Sequence, residues 1–156
     1  MGTQTEALRR LLNPRTVAVV GLRDGAPFAT SFSPTLQSDA TIHYVNPKYD
    51  TVLGQPTVPT LSDIQGPIDA VYCVTSAAIA VAVVEEAAAL DVGGVVLVSS
   101  GYAEMGDEAG MALQERLAAA AQSSGMAVIG PNGLGYSNVP KGISLTIAAD
   151  HKRRPG

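Results

Sequence analysis

Lys48 follows the short run Thr41–Val45 across an Asn46-Pro47 step. Where a parallel sheet binds an adenosine ligand, an Asp or Glu at the end of the second strand hydrogen-bonds the free ribose hydroxyls and would repel a phosphate. A lysine reverses that preference, because its compact ammonium suits a phosphate on the ribose. Pro47 stiffens the turn and would hold Lys48 close to the ribose. An ordinary surface lysine in a turn would carry the same residues. The chemistry they suit best is a ribose-phosphorylated adenosine ligand, coenzyme A or NADP.

Four other loops carry groups that suit a ligand. In Gly21-Leu22-Arg23-Asp24-Gly25-Ala26, backbone amides and a following helix N-terminus can cradle a pyrophosphate, and Arg23 can add a phosphate contact. The G-x-G-x-x-G pattern is not met, so Gly21 and Gly25 serve equally well as turn glycines. Val74-Thr75-Ser76 offers hydroxyls, whose simplest use is helix capping worth about 1 kcal/mol. Ser99-Ser100-Gly101-Tyr102 is a small polar turn that admits close approach. In Gly130-Pro131-Asn132-Gly133-Leu134-Gly135, a constrained turn, Asn132 can both donate and accept.

Each of these loops follows a strand, and helical patterns separate most of the strands. Thr16–Val20 is an unbroken apolar, mostly β-branched run, as expected of a strand buried on both faces. Thr41–Val45, 68–74, 95–99 and 126–129 repeat that character. Residues 5–12 predict a short helix with Leu8, Leu11 and Leu12 on one side, stopped by Asn13-Pro14. Residues 76–90 predict an alanine-rich helix burying Ile79, Val83 and Ala87 while Glu85 and Glu86 face solvent. Residues 107–123 predict another, with acids in its first turn, a Leu113-Leu117-Ala121 stripe and Gly125 as its end. Gln55–Val58 reads as a short strand and 60–64 as one helical turn. The crossover over 26–40 should start late, kink or break, because Pro34 costs about 3 kcal/mol inside a helix. Strands alternating with helices predict an α/β fold, Rossmann-like and doubly wound, with a mostly parallel sheet covered by helices on both faces. In such a sheet, ligands bind beyond the carboxyl ends of the strands, near the switch in strand order.

Composition narrows the function classes. The 156 residues make one domain, long enough for its own core, which must be aliphatic because Trp is absent and aromatics are few. A net charge of −4 gives no reason to expect nucleic acid, and the one basic cluster, His151-Lys152-Arg153-Arg154, reads as a solvated linker. The single Cys73 lies in an apolar run and reads as a small buried hydrophobe rather than a nucleophile. His43 falls in a strand run and reads as structural. Apolar runs fall short of the roughly 20 residues a membrane helix needs, and with no secretory signal before the first strand the expectation is a cytoplasmic protein.

Val17-Ala18-Val19-Val20-Gly21, Val45-Asn46-Pro47-Lys48-Tyr49, Ser99-Ser100-Gly101-Tyr102-Ala103-Glu104 and Gly130-Pro131-Asn132-Gly133-Leu134-Gly135 fall in a recognisable order and spacing. Over about 8–146 the chain resembles the N-terminal CoA-binding domain of NDP-forming acyl-CoA synthetases, relatives of the succinyl-CoA synthetase α subunit and of ADP-forming acetate–CoA ligases. The resemblance implies a coenzyme A site in which 21–26 lies against the pyrophosphate and Lys48, with Asn46 beside it, meets the 3′-phosphate. It implies that Val74, Thr75 and Ser76, with Ser99, Ser100 and Gly101, line the pantetheine path, and that Asn132 sits near the thiol or supports its loop. Phe28-Ala29 stands where the family usually carries further glycine, and Gly133 stands where many relatives have cysteine, which argues against a thiol role there. The implied organisation is a lead-in helix over 1–14, the CoA-binding domain over 15–148, and a linker or continuation over 149–156. The family's phosphorylated histidine and ATP-grasp parts belong to other domains, so ATP would enter only through them. The expected activity of this chain alone is binding of CoA or acyl-CoA without turnover, with further ligase domains or subunits as partners. Two alternatives remain at this point: a non-catalytic CoA sensor, alone or regulating a protein acyltransferase, and an NADP-binding oxidoreductase domain.

Overall fold

A computed structural model describes residues 3–26 and 39–147. The expected crossover over 26–40, with Phe28, Ala29 and Pro34, and the basic cluster from His151 fall wholly or mostly outside them. Helix α1 (Gln4–Leu12) starts at Thr3, whose hydroxyl accepts from the Glu6 amide at 3.3 Å, and it ends at Asn13 as the Asn-Pro step requires. It is followed by β1 (Thr16–Val20), β2 (Thr41–Val45), β3 (Thr51–Val52), β4 (Gln55–Val58), a 3-10 turn (Leu61–Asp63) and β5 (Ala70–Cys73). Next come α2 (Ala77–Ala89), β6 (Gly94–Leu97), a 3-10 turn (Ala103–Met105), α3 (Glu108–Ser124) and β7 (Ala127–Ile129). A hairpin of β8 (Gly135–Asn138) and β9 (Ile143–Thr146), joined by a 3-10 turn (Val139–Lys141), completes the described chain.

Seven strands form one sheet in the order β3-β4-β2-β1-β5-β6-β7. Every pairing in it is parallel except β3 with β4. The chain runs outward from β1 through β2 to β4, then returns to the other side of β1 and runs outward again through β5, β6 and β7. That reversal places a switch point between β1 and β5, the doubly wound arrangement expected from the alternating strands.

Apart from Thr16 at the start of β1, the residues of β1, β5 and β6 are all buried because both faces are covered. Ala18, Val20, Val71, Cys73, Val95 and Leu97 point to the side covered by α2 and α3. Val17, Val19, Ala70, Tyr72 and Val96 point to the other, where they meet Leu11 of α1 together with Ile143 and Leu145 of β9. Each Val or Leu among them, fully buried, contributes roughly 1.5–3 kcal/mol. Gly125 ends α3 in the left-handed conformation at φ 73°, which glycine adopts without strain.

Three expectations about helix faces are corrected. Leu8 is exposed while Ala7 and Leu11 are buried, because α1 lies on the sheet through a narrower stripe. Ile79 is 53% exposed, while α2 buries Val83 and Ala87 as expected and adds Ala77, Ala80, Val81 and Val84. Of the expected α3 stripe only Leu117 is fully buried, joined by Gly110, with Leu113 packed at the edge of the core.

Candidate functional site

The carboxyl ends of β1, β2 and β5 open into a cleft of about 510 Å³, within the range usual for small-molecule sites. Gly21 and Arg23 line it from the loop after β1, Asn46 and Lys48 from the loop after β2, and Thr75 and Ser76 from the loop after β5. Six residues expected to touch a ligand are thus brought together at the switch point.

Backbone geometry makes this possible. The Gly21 amide donates to the Val45 carbonyl at 3.0 Å, continuing the β1–β2 pairing one residue past the strand. Its φ is +84°, and a Cβ there would lie 2.3 Å from Cγ2 of Thr75. Any side chain would close the gap between the β1 and β5 loops, so glycine keeps the crevice open. Asn46 is 8% exposed, and its Nδ2 donates to the Leu22 carbonyl at 2.9 Å while its Oδ1 accepts from the Lys48 amide at 3.0 Å. It is a strut joining the first two loops and setting the turn that presents Lys48.

Ser76 occupies the N-cap position of α2 but makes no capping hydrogen bond with its side chain, and the first turn holds no acid. The positive end of α2 is therefore open towards the cleft. Helix α3 is built differently: Asp107 accepts from the Gly110 amide at 2.7 Å and Glu108 adds charge in the first turn. Thr75 holds its hydroxyl 3.2 Å from Sγ of Cys73 and 3.3 Å from the Ser76 carbonyl. Cys73 is fully buried, and burial pushes its thiol above the ordinary range, which suits a core residue and not a nucleophile.

The remaining expected residues lie elsewhere. Gly25 is exposed, and Ala26 and Val74 pack against the core on the α1 side of the sheet. Ser99, Ser100, Gly101 and Asn132 form a second group beyond β6 and β7. There the Asn132 amide donates to the Ser99 carbonyl at 2.8 Å, and the Ser99 hydroxyl lies 2.9 Å from the hydroxyl of buried Tyr102. The Gly101 and Tyr102 amides donate to the Glu104 carboxylate at 2.7 and 3.1 Å. Chiefly through the Gly101 amide, those bonds hold Glu104 below the usual carboxylate range.

Sequence reasoning missed part of the cleft wall. Ile79, Val83 and Glu86 line it from α2, and Pro59, Thr60 and Leu61 from beyond β4. Glu86 does not face free solvent as expected: its Oε1 accepts from the Ser62 amide at 3.0 Å and hydroxyl at 2.8 Å. The spacing of 79, 83 and 86 on one helical face was the available signal.

The profile of the CoA binding domain family matches residues 15–138. The chain belongs to that family. This CoA-binding domain is 33% identical over 143 residues to the ADP-forming acetate–CoA ligase I of Archaeoglobus fulgidus, covering 90% of this chain and 21% of that protein. It is 34% identical over 154 residues to a trans-feruloyl-CoA synthase of an unknown prokaryotic organism, covering 96% and 22%. Among solved structures, the dinucleotide-forming acetyl-coenzyme A synthetase 1 of Candidatus Korarchaeum cryptofilum, in complex with phosphate and ADP, matches with TM-score 0.79 at 27% identity, over 90% of this chain and 30% of that one. The domain is homologous to part of the ADP-forming acyl-CoA ligases and spans about a fifth of the length of those curated relatives. A hypothetical protein of Pyrococcus horikoshii shares the fold alone, with TM-score 0.62 at 19% identity over 87% of its chain. Among the described residues no helix is long and apolar enough to cross a membrane.

Proposed function

We propose that this domain holds coenzyme A across the carboxyl edge of its sheet and presents the thiol for acyl transfer in an ADP-forming acyl-CoA ligase. The observation that carries the reading is the cleft at the switch point, where Lys48, Arg23 and the uncapped end of α2 line one space. The residues fit the ligand: a cation for the 3′-phosphate, open amides and a glycine crevice for the pyrophosphate, and an apolar wall for the base. From the crevice the pantetheine arm would run past Thr75 and Ser76 towards Ser99, Ser100, Gly101 and Asn132.

Coenzyme A would supply the thiol nucleophile, and this chain would supply its position. Fixing the thiol lowers the entropic part of the barrier without acid–base chemistry. Activation of the acid with ATP would be the work of other domains or subunits of the ligase.

The test is calorimetric titration with CoA, dephospho-CoA and NADP, on the wild type and Lys48→Ala. CoA should bind, and loss of the 3′-phosphate or of Lys48 should each weaken binding about tenfold, without adding when combined. Binding of NADP in preference to CoA would replace this reading with an oxidoreductase one, and binding of neither would overturn it.

A further inference from the structure

The α2 wall of the cleft carries an acceptor that the phosphate-binding groups do not explain. Ile79, Val83 and Glu86 share one face of α2 and all line the cleft. Ile79 is 53% exposed, although the valines of the same helix, Val81, Val83 and Val84, are buried. An apolar side chain left uncovered beside cationic loops suits a ligand with a flat apolar part next to its phosphates. Glu86 lies ten residues along α2 from Ser76, about 15 Å at the helical rise. That is the scale of an extended nucleotide from its pyrophosphate to the outer edge of its base. Glu86 is half-buried, and Ser62 engages Oε1 with both its amide and its hydroxyl, which fixes the side chain. Among the described residues, Oε2 has no hydrogen-bond partner, and a carboxylate can only accept.

We propose that Glu86 reads the base of the bound cofactor: adenine packs on Ile79 and Val83, and its exocyclic amino group donates to the Glu86 carboxylate. The inference rests on the coenzyme A reading and adds a specificity-determining residue to it. A carboxylate so near a polyanionic ligand costs affinity unless it receives a hydrogen bond from it. Ser62 and the amino group together supply that compensation. Lys48 then selects the ribose phosphate at one end of the adenosine, and Glu86 selects the amino-bearing edge of the base at the other.

The experiment is a two-by-two titration of wild type and Glu86→Ala with CoA and 1,N6-etheno-CoA, whose bridged base has no amino hydrogen. Wild type should bind CoA about tenfold more tightly than etheno-CoA. In Glu86→Ala the affinity for CoA should fall relative to etheno-CoA until the two ligands bind alike. Glu86→Gln, which keeps an oxygen for Ser62, should also narrow the preference and guards against a variant that does not fold. Equal wild-type affinities overturn the proposal and leave the coenzyme A reading intact. So does a change that is the same for both ligands, or a gain confined to etheno-CoA, which would show only a steric clash. If neither ligand binds wild type, both readings fall.

Discussion

The two halves of the sheet's carboxyl edge are built from similar small polar residues and end in opposite states. On the β1, β2 and β5 side the hydroxyl of Ser76 makes no cap, the α2 N-terminus lacks an acid, and Gly21 leaves a crevice that a single Cβ would close. On the β6 and β7 side Glu104 takes up the Gly101 and Tyr102 amides, Tyr102 meets Ser99, and Asn132 is tied back to the Ser99 carbonyl. The first half is an open cleft, the proposed seat of a phosphorylated nucleotide. In the second, the Gly101 and Tyr102 amides, the Tyr102 hydroxyl and the Asn132 amide are engaged by neighbouring groups of the protein. The difference teaches that donors and acceptors make a site only where the fold leaves them unspent.

The largest expected effect comes from the far end of the sheet, which supports both halves alike. Arg10 donates to Asp69 at 2.9 Å, and Asp69 also accepts from the Arg15 and Thr16 amides at 2.9 and 3.3 Å. Burial alone would raise the Asp69 carboxyl, but Arg10 and the two amides outweigh it and leave the group below its ordinary value. Asp69→Ala should lower unfolding free energy by about 3 kcal/mol, because Arg10 loses the partner of a largely buried pair. Urea denaturation gives that number. Calorimetry on the remaining folded protein should show unchanged CoA affinity, and a large change would mean the cleft depends on this clasp.

Gly21→Ala should come next and break the open half directly. The positive φ and the collision with Thr75 should cost about 2 kcal/mol of stability in urea. CoA binding should fall below detection, and retained binding would show that the crevice is not the pyrophosphate seat. Lys48→Ala should leave stability within about 0.5 kcal/mol of wild type, since its side chain is exposed. Its effect should appear only as the roughly tenfold loss for CoA over dephospho-CoA.

The smallest effect belongs to the satisfied half. Glu104 has a depressed folded pKa, so its contribution to stability is present above its ordinary value of 4.5 and fades as pH falls through the lower folded one. Glu104→Gln should therefore lower the thermal midpoint slightly at pH 7, and the gap to wild type should shrink as pH falls below 4.5. A gap that stays constant as the pH is lowered would mean the carboxylate's charge is not what orders the Gly101 turn. CoA affinity should change little, which is the sharpest contrast with Gly21.

Sequence alone determined the layers and the family. The runs 16–20 and 41–45 gave β1 and β2 with their observed bounds, β1 because a strand buried on both faces is apolar from Val17 on, and β2 through its β-branched and aromatic residues. Asn13-Pro14 and Gly125 ended their helices through local backbone chemistry. The order of the loops named the family, while the reading of Lys48 as a ribose-phosphate contact rests on its charge and its place after the second strand. The β8–β9 hairpin was not legible: its strands are short, and they are held by Tyr136 donating to the Leu11 carbonyl and Asn138 to the Leu12 carbonyl, far away in the chain. Nor was the cleft wall legible. Periodicity placed Ile79 on a buried stripe and Glu86 in water, since it registers a helix's faces but not what stands opposite them. Only the folded chain, by setting the turn after β4 against α2 and Gly21 against Thr75, decided which polar groups are spent on the protein and which remain for a ligand.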